Sequence, residues 1–318
     1  MKKLNYLHFV AFSIFLFLTS CTTQKKYLST DPTLPVNKEI KDIKNEKERV
    51  NLIGISNRIG LQKAPFNDWF EKYYSEYKPD PKVISKGKSK MKGVEVLAFL
   101  GTWCGDSTRG VPQFYKVMDK MGFDDKNLKL VSVSDSKEQY KRSPNGEEIG
   151  LNIFRVPTFI FYKEGKEIGR IVETPTTSFE VDIVQIVNGL APTPNFKTQA
   201  LIHANLESGG FEKIEENIKT YGRYVSRRTT GPSELNAYGY VLLRNGKTKE
   251  AILVFKINAL AYPHSPNVFD SLGEAYAITG NSKLAIDNYK KVIELNPEDE
   301  NAKKELKKLG ITDLTMNN

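Results

Sequence analysis

Val94-Glu95-Val96-Leu97-Ala98-Phe99-Leu100-Gly101-Thr102-Trp103-Cys104-Gly105-Asp106-Ser107 is the stretch on which the fold turns. Its first seven residues are a short, mostly apolar run with β-branched and aromatic members, which predicts a buried strand. Downstream, Val111, Phe114, Tyr115, Val117, Met118 and Met121 recur at helical spacing. Cys104 therefore stands where a strand hands over to a helix, at the helix N-terminus. A thiol there faces unpaired backbone N–H groups and the positive end of the helix dipole. That setting favours the thiolate, which is the attacking species in disulfide exchange.

Working outward, Asn127 to Val133 predicts another strand. Phe154 to Tyr162 and Glu167 to Val172 predict a hairpin across Lys163-Glu164-Gly165-Lys166, and Phe179 to Val187 a closing amphipathic helix. With these elements the chain from about residue 90 to 190 resembles the thioredoxin fold. The resemblance rests on Trp103-Cys104-Gly105 after an apolar strand, on Pro112 where thioredoxins carry a helix-kinking proline, and on Val156-Pro157-Thr158 at the family's cis-proline segment. It implies an α/β thioredoxin-like domain, a central mixed sheet flanked by helices. It also implies Cys104 as nucleophile and Pro157 in the cis form. Extended substrate backbone would pair beside Val156, Pro157 and Thr158, with Trp103, Gly105 and Asp106 around the thiol. Residues 52–90, with Trp69, Tyr73, Tyr74 and Tyr77, read as an N-terminal extension whose aromatic stripe packs on the sheet.

Departures from the family pattern shape the expected chemistry. Its second Cys is Ser107 here, and a hydroxyl cannot release a mixed disulfide, although it can donate a hydrogen bond to a thiolate. Its usual proline between the cysteines is Asp106, whose charge opposes a thiolate unless Arg109 neutralises it. The buried acid six residues before the nucleophile is Ala98. Three readings of Cys104 follow: a monothiol exchange site resolved by an external thiol; a relic, a small hydrophobe in a domain used for binding; and a likeness to monothiol glutaredoxins. The third is the poorest match, because Asp106 replaces their Phe and the glycine pair after the cis-proline is absent. A one-Cys peroxidase fits less well still, since Gly101 stands where peroxiredoxins carry Thr.

The N-terminus reads as an address. Lys2 and Lys3 precede an apolar run from Phe9 to Leu18, which ends Leu18-Thr19-Ser20-Cys21. This is the shape of a signal peptide over residues 1–20, too short for a membrane span. Its end resembles a bacterial lipobox, which implies lipidation of Cys21. The protein is then expected in the cell envelope, lipid-anchored to a membrane and facing the periplasm, where disulfides persist. Residues 21–50 read as lipidated Cys and tether, with 38–49 as a short solvated helix. The formal charge is +9 among 318 residues. Nucleic acid is not an expected partner in that compartment; a Lys-rich solvated surface beside anionic lipid accounts for the charge. The three His and two Cys form no zinc-like cluster, so neither metal nor cofactor is expected. His203 and His264 read as surface or packing residues.

Ala191-Pro192-Thr193-Pro194 marks a boundary. Beyond it the sequence repeats: Gly239 and Gly273, Gly246 and Gly280, Ala251 and Ala285, Phe255 and Tyr289, Pro263 and Pro297 pair at a constant spacing of 34. This resembles the tetratricopeptide repeat (TPR), a helix–turn–helix unit, with Phe269, Leu272, Gly273, Tyr276, Ala285, Tyr289 and Pro297 matching in the second copy. The resemblance implies an all-α helical-hairpin domain over 195–311: a degenerate hairpin at 196–222, repeats at about 232–265 and 266–299, and a capping helix at 298–311. Ser233 is a candidate N-cap. A TPR groove implies a peptide or protein ligand.

The functional expectation is an exported, membrane-anchored thioredoxin-like protein that engages protein thiols and disulfides through Cys104, with Ser107 and Pro157 in the reacting site. The alternative is a non-catalytic adaptor that uses both modules for protein–protein interaction.

Overall fold

A computed structural model describes residues 32–44, 47–136, 139–190 and 192–311. The stretch read as a signal peptide, and Cys21, lie outside the described residues.

The N-terminal part is one six-stranded mixed sheet in the order β1-β2-β4-β3-β5-β6. Its strands are β1 (Lys38–Lys44), β2 (Lys47–Ser56), β3 (Val94–Leu100), β4 (Leu128–Ser132), β5 (Thr158–Lys163) and β6 (Lys166–Val172). β3 runs parallel to β4; every other neighbouring pair is antiparallel. Helices α1 (Arg58–Leu61), α2 (Asn67–Glu76) and α3 (Pro81–Gly87) follow β2, α4 (Gly105–Met121) follows β3, and α5 (Phe179–Val187) follows β6.

β3 is the central strand because nearly every position of it is apolar and buried. Successive side chains serve opposite faces. Val94, Val96, Ala98 and Leu100 join Val111, Phe114, Met118 and Ile183 of α4 and α5 in one core. Leu97 and Phe99 join Ile55, Val131, Val133, Ile153, Val156 and Ile160 in the other. Helices cover the first face. Residues 133–157 pack against the second without a regular helix among the described residues. Of the aromatic stripe, Trp69, Tyr74 and Tyr77 pack half-buried on the first core, and their neighbour Phe70 is the fully buried ring.

Two readings of the N-terminal region are corrected. Residues 38–44 and 47–49 form no helix: they belong to the antiparallel pair β1–β2 at the sheet edge, with Lys41 opposite Val50 and Glu39 opposite Leu52. Charged residues satisfy an edge strand whose side chains reach water. The pair thus begins inside the stretch read as a tether.

The C-terminal part is helical: α6 (Lys197–Glu207), α7 (Phe211–Glu216), α8 (Ile218–Ser226), α9 (Ser233–Arg244), α10 (Thr248–Ala261), α11 (Pro266–Ile278), α12 (Ser282–Leu295) and α13 (Glu300–Lys308). The degenerate segment holds three short helices rather than a single hairpin. Ser233 does not cap α9; Pro232 holds that position, and the Ser233 hydroxyl accepts a hydrogen bond from Arg155 instead. Turns before α10 and α12 place Gly246 and Gly280 at the same φ of 74°, which side-chain-bearing residues rarely adopt.

The pairs α9–α10 and α11–α12 each close on a glycine, Gly239 against Phe255 and Gly273 against Tyr289. A methyl group at 239 would collide with the Phe255 ring, whereas at 273 the Tyr289 ring begins 3.1 Å away. Ala otherwise favours a helix interior over Gly by about 1 kcal/mol. Gly239→Ala is therefore expected to destabilise the chain by about 1–3 kcal/mol. Gly273→Ala should stay within about 1 kcal/mol of the parent. Urea midpoints measure both, and equal losses would contradict this packing.

Candidate functional site

Cys104 occupies the N-cap of α4 with extended backbone, φ −97° and ψ 123°. It gets there because its N–H bonds to Gly101 O at 2.9 Å, turning the chain sharply off β3. Gly101 is required at that turn: a Cβ there would run into the Trp103 indole. Trp103 is pinned by its own N–H, which donates to Val133 O at 2.8 Å.

Cys104 is partly buried and forms no disulfide. Its thiol donates to the carbonyl of Val156 at 3.3 Å. The Val156–Pro157 peptide bond is cis. α4 approaches Pro157 closely at Gly110, where a Cβ would meet the proline ring at 3.4 Å. Cys104, Val156 and Pro157, which are far apart in sequence, are thus brought together, with Trp103 beside them and Gly105 exposed at the mouth.

Two expected site residues are buried and hydrogen-bonded to turns. Ser107 is fully buried, and its Oγ accepts from the Gly101 amide at 3.2 Å. This bond ties the first turn of α4 to the end of β3. Thr158 is also buried, and its hydroxyl donates to Arg155 O at 2.7 Å. It closes the cis-proline turn from inside instead of bordering an open groove. Asp106 and Arg109 do meet, at 3.5 Å and largely in solvent, where an ion pair contributes little.

Residues 139–155 supply neighbours that carried no signal in the sequence. The Tyr140 ring packs on Trp103 with centroids 5.5 Å apart. Burial, reinforced by the nearby Cys104 charge, raises its pKa. Lys141 is buried and donates from Nζ to Phe154 O at 2.8 Å. Burial, helped by the Arg155 charge, pushes its pKa down from 10.5 to about 8; Cys104 and Glu173 act the other way. Arg155 pairs with Glu173 at 3.5 Å. The Glu173 carboxyl is itself pushed up by burial, against the pull of Arg155.

The helical part meets this same loop. Arg244 at the end of α9 donates to Tyr140 O. Arg155 donates to the Ser233 hydroxyl at 3.1 Å at the start of α9. Phe154 lies edge-on to Phe196 at 5.3 Å and to Tyr238 at 6.3 Å. His203 bonds through Nδ1 to Tyr238 at 2.9 Å, a packing role. A cavity of about 450 Å³ opens at this junction, bordered by Phe154, Arg170, Ile171, Phe196, Gln199 and His203.

Among the described residues no cluster of three or more His, Cys, Asp or Glu is arranged to hold a metal ion. No described helix is long and apolar enough to cross a membrane.

No protein-family model matches the chain. Over 99 residues it is 30% identical to a thioredoxin-like protein of Acanthamoeba polyphaga mimivirus, covering 30% of this chain and 63% of that protein. Over 92 residues it is 29% identical to a thioredoxin of Malassezia sympodialis, covering 29% of this chain and 80% of that one. These likenesses, with the mixed sheet and its flanking helices, support a thioredoxin-like domain in the N-terminal part of the chain.

Proposed function

We propose that this protein engages the disulfides of other proteins through a single sulfur and holds them as mixed disulfides. The observation that carries this reading is the partly buried Cys104 at a helix N-cap, its sulfur 3.3 Å from the carbonyl that precedes a cis-proline. The Cys104 thiolate attacks one sulfur of R–S–S–R′. A Cys104–S–S–R bond forms, and R′–S⁻ leaves and takes a proton from water. No second described cysteine is present to attack the adduct. Release therefore needs an external thiol R″–SH, whose thiolate forms R″–S–S–R and returns Cys104 as thiolate. The names of the two relatives agree with a thiol role.

Around that core, the sequence supports export with lipidation at Cys21, which places the substrates among envelope proteins. The 34-residue period, with Gly239 and Gly273 at equivalent helix contacts, supports TPR-like hairpins. Because α9 docks on the 139–155 loop through Arg244 and Ser233, the first hairpin acts as a wall of the thiol site. A protein ligand would then be gripped by the later hairpins. The same docking favours a second reading, an adaptor in which the thiol is silent.

The experiment is expression of the full chain in a bacterial envelope, followed by non-reducing gels. Adducts that vanish with dithiothreitol and in Cys104→Ala are expected. Absence of Cys104-dependent adducts would leave the adaptor.

A further inference from the structure

Two donors hang from one short piece of backbone. Cys104 Sγ reaches the carbonyl of Val156, and Lys141 Nζ the carbonyl of Phe154. The acceptors are two residues apart, at most about 7 Å of chain. Lys141 is held there by its fold. It has a left-handed φ of 58°, its N–H bonds to Ser134 O at 2.7 Å, and Ser134 N–H bonds back to Arg142 O at 2.9 Å. Its ammonium also lies 4.8 Å from the centre of the Tyr140 ring, which in turn packs on Trp103. Next door, Arg244 of α9 fixes the Tyr140 carbonyl.

A buried ammonium is unfavourable unless an anion or several hydrogen bonds compensate. The charged and titratable groups facing Lys141 are Arg155, Glu173, Arg244, Tyr140 and Cys104. Arg155 and Arg244 repel it, and Glu173 is already paired with Arg155. Tyr140 offers a ring face. Cys104 is the remaining acidic group among these whose charge favours the Lys141 cation.

We infer that Lys141 is a positioning residue for the thiol chemistry: the buried cation against which the Cys104 thiolate forms. The inference rests on the thiol reading above. It gives the 139–155 loop a task, and it makes α9 a brace for that task through Arg244. It also compensates for the missing acid at Ala98.

The test is the rate of iodoacetamide alkylation at Cys104 from pH 5 to 10, in the parent, Lys141→Met and Lys141→Arg, with thermal melts alongside. Lys141→Met is expected to slow alkylation at pH 6 about tenfold. The plateau at pH 10 should be unchanged, because the parent Lys141, with a pKa of about 8, is neutral there too. A purely structural lysine would alter the plateau or the melt and leave the ratio of the pH 6 rate to the plateau in place. Lys141→Arg should keep the rate at pH 6 and lose any break near pH 8. If Lys141→Met fails to melt cooperatively, the Arg variant decides: a profile that loses the break supports the inference, and one identical to the parent overturns it. A Met profile that superimposes on the parent also overturns it. Alkylation needs no protein partner, so this outcome is independent of whether mixed disulfides are found.

Discussion

Ser107→Cys is expected to erase the lasting adducts and convert the site from a trap into a dithiol. Position 107 is three residues into the helix that Cys104 caps, so both side chains share one face of its first turn. A thiolate at 107 would attack the Cys104 sulfur of the mixed disulfide, release R–S⁻ and close an internal disulfide. An intramolecular thiol acts at an effective concentration of millimolar or far more when well oriented. Adduct lifetimes in non-reducing gels should therefore fall by at least about a hundredfold. Intact mass should show the loss of two hydrogens. The substitution also removes the Oγ acceptor of the Gly101 amide, a cost of about 1 kcal/mol, which the domain should tolerate. Adducts that persist as in the parent would show that Cys104 and position 107 do not face each other.

The largest expected loss of stability comes from Phe114→Ala. Phe114 is 1% exposed. Its ring stacks on Phe159 of β5 at 4.2 Å and meets Tyr115, Phe161 and Phe179 edge-on. It therefore joins α4, the central sheet and α5 in a single contact. Removing a buried Phe side chain costs about 3–5 kcal/mol, from lost transfer energy and the cavity left behind. Urea unfolding should show that loss in the transition of the N-terminal part, and a change below about 1 kcal/mol would mean the cluster is loosely packed. Because Phe114 lies one turn beyond Gly110, which abuts Pro157, alkylation of Cys104 should also become less dependent on native geometry.

Much of the fold is legible because it obeys local rules. β3 coincides with the run Val94 to Leu100, since a strand buried on both faces is apolar throughout. α5 starts where Ser178 caps it, with the hydroxyl accepting from Val181 N–H at 3.4 Å. The 34-residue spacing marks the glycines on which helices close. The cis-proline strand is read four residues too early: Phe154-Arg155-Val156 alternates apolar and charged like a half-buried strand, yet it forms the turn and β5 begins at Thr158. The charged stretch at 38–49 misleads because both a solvated helix and an exposed edge strand accept Lys and Glu on water-facing sides. Nothing local distinguishes them; the distinction is made by β2, whose Leu52, Ile53 and Ile55 are buried in the sheet.

The candidate site divides in the same way. Cys104 and Pro157 are visible as residue types in a pattern. Lys141 is not, because it stands in a polar run, Ser136-Lys137-Glu138-Gln139-Tyr140-Lys141-Arg142-Ser143, which reads as solvated surface. What buries it is remote in sequence: the Phe154 carbonyl, the Trp103–Tyr140 stack and Arg244 from α9. Ser107 and Thr158 show the converse. Ser107 is read as a modulator of the thiolate and Thr158 as a groove residue; what the sequence does not show is that both hydroxyls also bond to turns, at Gly101 and Arg155.

Exposure of the purified full chain to a small aromatic disulfide, followed by intact mass and peptide mapping, tests the account at its centre. One covalent adduct on Cys104 is expected, stable for hours without added thiol and released on adding one. A Cys104 that stays unmodified while the chain is folded would contradict the account.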